Sequence, residues 1–167
     1  SRRLYFKTIP NDNSYRLKII AGGDSRNALS SDPNAAILVE ARQNANLLVK
    51  KMRADAVFFG GDMTLQDTES EWYLWLDHWQ GTIADDGYLT PIIPARGNHE
   101  YFVTSVYEIF YSPNQNSVYG VRFADDLLHL STLNSETTVA GDVPNTGGFT
   151  PATINVADQG EWLESEL

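Results

Sequence analysis

The chain has 167 residues, 42% of them hydrophobic, which is enough for one real core, and no apolar run approaches the ~20 residues that cross a bilayer. A formal charge of −10 argues against binding nucleic acid through a general basic surface; a phosphate ester stays open as substrate, because bound cations can reverse the local sign. With no cysteine, disulfides and thiolate sites are excluded, so any metal must be held by oxygen and imidazole.

Leu4 to Pro10 alternates as a short strand would, and Pro10 to Ser14 reads as a turn or linker. Leu17 to Ala21 is a short apolar run ending in Gly22-Gly23-Asp24, the profile of a buried strand entering a loop. From Asn34 to about Arg53, Leu38, Ala41, Ala45, Leu48 and Met52 recur at helical spacing, with Asp32-Pro33 as cap and first turn. Ala56 to Phe59 is a second strand, ending in Gly60-Gly61-Asp62. A helix follows from Glu69, with Trp72, Trp75, Leu76 and Trp79 on one face. Pro91 to Ala95 is a third strand, ending in Arg96-Gly97-Asn98-His99-Glu100. Val118 to Phe123 and Leu127 to Leu133 read as a hairpin joined by Ala124-Asp125-Asp126. Residues 135–155 read as a long loop, and a helix begins at Asp158.

Strand alternating with helix is the pattern of a parallel α/β sheet covered by helices. In such sheets ligands sit at the carboxyl ends of the strands, so Asp24, Asp62 and Asn98 are expected to converge. Carboxylate and amide oxygens suit hard divalent cations, and a carboxylate between two ions can bridge them at the ~3.5–4 Å of two-metal hydrolysis. Asp62, on the middle segment, is the candidate bridge. Any one Gly-Asp strand end is a weak signal, since its aspartate more often caps a turn. All three in order are a strong one.

The series Gly23-Asp24, Gly61-Asp62 and Gly97-Asn98-His99-Glu100 resembles the first three signature blocks of the calcineurin-like metallophosphoesterases. Leu130 to Glu136 and Gln159 to Leu163 resemble pieces of that family's purple-acid-phosphatase-like branch. The resemblance implies a four-layer αββα sandwich, of which residues 15–167 would be the amino-terminal half. Residues 1–14 would then close an upstream fibronectin-like domain or form a linker. It also implies two divalent or trivalent ions (manganese, iron or zinc), with Asp24 as a ligand of one, Asp62 bridging and Asn98 as an amide ligand. His99 would sit near the scissile phosphate as general acid or charge stabiliser. The branch favours an extracytoplasmic, periplasmic or secreted, location.

Two departures bear on this. The usual first block reads Asp-x-His, where this chain has Asp24-Ser25-Arg26, and the branch's tyrosine three residues after the second aspartate is Leu65 here. Arginine cannot ligate a metal as a cation, but its fork suits a phosphate oxygen, so Arg26 is a candidate substrate-binding residue. The family's later histidine-bearing blocks would lie beyond Leu167, so this segment by itself is expected to bind metal weakly and hydrolyse little. An apolar face of Ile19, Val57, Phe59 and Ile92 would then lack part of its cover, to be supplied by the rest of the protein or by a second copy. The rival expectation is a non-catalytic relative that binds a ligand or partner with the same fold. His78 reads as a solvated helix histidine, His129 as a structural one, and Asp85-Asp86 and Asp125-Asp126 as turn residues.

Overall fold

The computed structural model describes residues 3–28, 31–100, 103–111, 118–134 and 156–166. The elements in chain order are β1 (Ile19–Gly22), α1 (Ala35–Met52), β2 (Ala56–Phe59), α2 (Glu69–Trp79), β3 (Ile92–Pro94), α3 (Val103–Phe110), β4 (Tyr119–Phe123), β5 (Leu128–Thr132) and α4 (Val156–Glu166). β1, β2 and β3 form a parallel sheet in that order, while β4 and β5 pair antiparallel. The loop expected over 135–155 lies outside the described residues.

Crossovers between parallel neighbours are right-handed, so stepping twice in one direction puts α1 and α2 on the same face of the sheet. Side chains alternate along a strand, and Val57 and Phe59 point to that helix face. They are buried with Val49 of α1, Trp72 and Trp75 of α2 and Val106 of α3; Ile20 and Ile92 pack at the edge. Aromatic rings fill this core. Trp75 stacks on Trp79 with centroids 5.0 Å apart and meets Phe59 edge-on at 5.4 Å. Val57, Phe59 and Ile92 are therefore not an uncovered face, and Ile19 lies one residue out of phase with them, on the opposite side. On that side Phe123 of β4 reaches Phe58 at 5.7 Å. The Tyr119 hydroxyl donates to the Pro94 carbonyl, and burial pushes its phenol up to about 12, so it stays a donor. The hairpin is thus tied to β3.

Some expectations need correction. Leu4–Pro10 forms no strand: Tyr5 makes one isolated parallel bridge to Tyr88, and its hydroxyl joins Arg53 in holding Asp86. Asp86 is therefore an ion-pair partner as well as a turn residue, its carboxyl kept well below the usual range by hydrogen bonds from Arg53 and Tyr5. Helix α1 is where the periodicity puts it, but its N-cap position is Asn34, whose side chain makes no cap bond, and it buries the other side. Arg42, Asn46 and Val49 face inward, while Leu38, Leu48 and Met52 are 44%, 58% and 48% exposed. Arg42 and Asn46 are tolerated inside because each finds hydrogen-bond partners there. The sequence pattern does not announce α3.

Candidate functional site

Parallel strands end on one edge of the sheet, and the loops leaving β1, β2 and β3 meet there. The first two are laced by backbone bonds: the Asp24 N–H donates to the Gly61 carbonyl and the Ser25 N–H to that of Asp62, both at 2.9 Å. Asp24 and Asp62 both sit at positive φ, 53° and 57°, a left-handed conformation that aspartate tolerates better than most residues. The second and third loops approach backbone to backbone. Gly61 has φ of 88°, and a Cβ there would run into the Gly97 backbone; a Cβ on Gly97 would run into Asp62. Only glycine allows so close an approach.

Glu100 locks this junction. Its side chain is wholly buried, and its carboxylate accepts backbone N–H bonds from Asp62 (2.8 Å), Met63 (2.7 Å), Thr64 (3.1 Å) and Gly97 (2.9 Å). The second and third motifs are thereby fixed to one another through a single charge. Sequence alone assigns Glu100 no role. A carboxylate at the end of a glycine-bearing strand turn was the available signal, since the open N–H groups of such loops are natural anion partners.

Arg26 lies across the two aspartates. Its Nη1 donates to Asp24 Oδ1 and, at 2.6 Å, to Asp62 Oδ2. The other Asp62 oxygen accepts the His99 N–H at 3.1 Å. Burial alone would raise the Asp62 carboxyl, but the Arg26 hydrogen bond, the His99 N–H and the guanidinium charge together bring it below its ordinary value. The His99 ring is oriented by Nδ1, which lies 2.7 Å from the Leu65 carbonyl. A carbonyl can only accept, so Nδ1 carries the proton, and Nε2 is the acceptor of the neutral ring. Asn98 stands on an exposed turn between Gly97 and His99.

Helices α1 and α2 hold the first loop from behind. Arg42 Nη1 donates to the Ser25 carbonyl and Trp75 Nε1 to the Ser25 hydroxyl, both at 2.9 Å. Arg42 also faces His78 Nδ1, with Nη2 at 2.8 Å and Nε at 3.2 Å. Burial first, then the Arg42 charge, lowers the His78 imidazole below its ordinary value, which keeps Nδ1 an acceptor. His78 is therefore a half-buried acceptor rather than a solvated helix histidine. Arg42 was missed because a charged residue beside an apolar stripe reads as solvent-facing. His129 lies 3.4 Å from the Glu166 carboxylate, within ion-pair range but without hydrogen-bond geometry.

Of the sequence-predicted residues, the structure puts Asp24, Asp62 and Arg26 in direct contact, brings the His99 backbone onto Asp62, and leaves Asn98 exposed on the adjoining turn. Among the described residues, no group of three or more His, Cys, Asp or Glu side chains is placed to hold a metal ion. The donor set at the strand ends is two carboxylates and an amide. Its chemistry fits a hard cation, and the two carboxylates already converge on one positively charged atom, Arg26 Nη1. Compared with protein-family models, curated proteins and solved structures, the chain finds no match in any of the three. The family likeness therefore rests on the motif residues themselves.

Proposed function

We propose that the intact protein is a metal-dependent phosphoesterase of the calcineurin-like kind, hydrolysing phosphomonoesters or phosphodiesters, with this chain as part of its four-layer sandwich. The observation that carries the reading is the convergence of the Asp24 and Asp62 carboxylates on one cationic point at the ends of adjacent parallel strands. Asp24, Asp62 and Asn98 would hold metal, with Asp62 shared between two ions. When bound, such ions polarise the phosphoryl group and activate water. Asp62 is preorganised for this: its main chain is pinned by Glu100, and one of its oxygens by the His99 N–H. His99, with Nδ1–H held on the Leu65 carbonyl, would give the leaving oxygen a proton, or steady its charge, from Nε2–H of its imidazolium form. Arg26 contacts both carboxylates, and its fork is suited to a phosphate oxygen.

The full-length protein with manganese, iron or zinc should hydrolyse an aryl phosphate, and Asp62→Asn should lose metal and turnover together. The expected loss is at least about a hundredfold, since changes even outside a ligand shell cost ~10–100-fold. An Asp62→Asn protein with full activity would remove Asp62 from the site. One observation favours a second reading, a non-catalytic binding protein: Arg26 already pairs with both carboxylates. A wild-type protein that turns over no phosphate ester with any of the three metals would decide for it.

A further inference from the structure

We propose that Arg26 is the resident cation of this site, a guanidinium that holds Asp24 and Asp62 together and must swing out before a divalent ion can enter. The inference rests on the metal-binding reading above and deepens it, by making occupancy a competition between a side chain and an ion. Arg26 Nη1 bonds to both aspartates and so uses the oxygen lone pairs that a metal would need. Guanidinium does not lose its proton at ordinary pH, so only movement of the side chain can clear the site.

The surroundings allow that movement. The Asp62 side chain is 15% exposed, that of Arg26 30% and that of Asp24 73%, so the bridge runs from the interior outward and its outer arm is in water. The main chain beside Arg26 is anchored independently, through Ser25, by Trp75 and Arg42. A side-chain rotation would therefore leave the main chain at Asp24 in place, and that of Asp62 stays held by Glu100. Without the guanidinium, the two carboxylates would repel, and each would hold a cation more avidly.

The experiment counts manganese bound by the full-length protein, from the loss of the free-ion electron paramagnetic resonance signal, in wild type, Arg26→Gln and Arg26→Lys. Thermal unfolding of each is followed with chelator and with manganese. The proposal expects Arg26→Gln to bind one manganese at least tenfold more tightly than wild type, and Arg26→Lys, still cationic, to resemble wild type. In chelator Arg26→Gln should melt below wild type and regain the difference with manganese. Should it be unfolded without metal, folding on manganese addition is the same result in stronger form. Equal manganese affinity in wild type and Arg26→Gln overturns the competition and leaves the metal site standing. No manganese bound by any of the three overturns both. An Arg26→Gln protein unfolded with and without manganese makes the guanidinium a structural tie and overturns the proposal.

Discussion

Replacing Glu100 with glutamine should lower the unfolding free energy by at least ~3 kcal/mol, measured by urea denaturation. The buried carboxylate accepts four backbone N–H groups. Glutamine keeps one acceptor oxygen but turns an NH₂ toward donors that the second oxygen served. Each buried donor left without a partner costs about 1–3 kcal/mol, and hydrogen bonds to a charge are the strong ones. Because those donors belong to Asp62, Met63, Thr64 and Gly97, the loss falls on the contact between the second and third loops. If the site holds manganese as proposed, Glu100→Gln should also weaken its binding, although Glu100 is not among the proposed ligands. A variant within about 0.5 kcal/mol of wild type, the usual range for surface changes, would mean that these bonds are not made in solution.

Trp75→Ala should cost about 3–5 kcal/mol, the range for deleting a large aromatic from a packed core. Trp75 is 1% exposed and lies among Phe59, Trp72, Trp79 and Phe110, so its removal opens a cavity between the sheet and α2. Trp75→Phe separates packing from the polar contact. It keeps a ring in the core but loses the indole N–H bond to the Ser25 hydroxyl. Beyond the cavity it leaves, it should cost a further ~1 kcal/mol for the bond and loosen the loop carrying Asp24 and Arg26. Hydrogen exchange at Asp24 and Ser25 would show that loosening; unchanged protection there would confine Trp75 to packing.

The strand ends were legible because each combines two local signals, a short apolar run and a glycine before a polar residue. The boundaries of β2 and the start of α2 needed nothing more. The buried face of α1 was not legible. Leu38, Leu48 and Met52 satisfy a helical apolar stripe, yet the structure turns Arg42 and Asn46 inward. Periodicity counts apolar atoms and cannot see that Arg42 meets the Ser25 carbonyl, or that Asn46 Nδ2 meets the His78 carbonyl at 2.8 Å. These partners come from other elements, and only the fold brings them together.

The same reason explains the site. Asp24, Asp62 and Asn98 stand out as candidates by their positions after three strands, and Arg26 by its departure from a histidine. That Arg26 turns inward and bonds to both aspartates follows from side-chain geometry that spacing does not encode. Repulsion between the two carboxylates would, without a cation, raise one of them; the inward guanidinium instead leaves Asp62 lowered. Glu100 was visible as a motif residue, but its role depends on four N–H groups converging from two loops. Leu4–Pro10 alternates like a strand, yet a pattern cannot say whether a partner strand lies within reach, and only Tyr5 finds one.

The most direct measurement is anomalous diffraction at the manganese edge from crystals of the full-length protein grown with manganese. The account predicts a peak about 2.0–2.3 Å from an Asp62 carboxylate oxygen, with Asp24 or Asn98 completing the ligand set and the Arg26 guanidinium turned away. Manganese bound elsewhere or not at all, with Arg26 still joining Asp24 to Asp62, would contradict it.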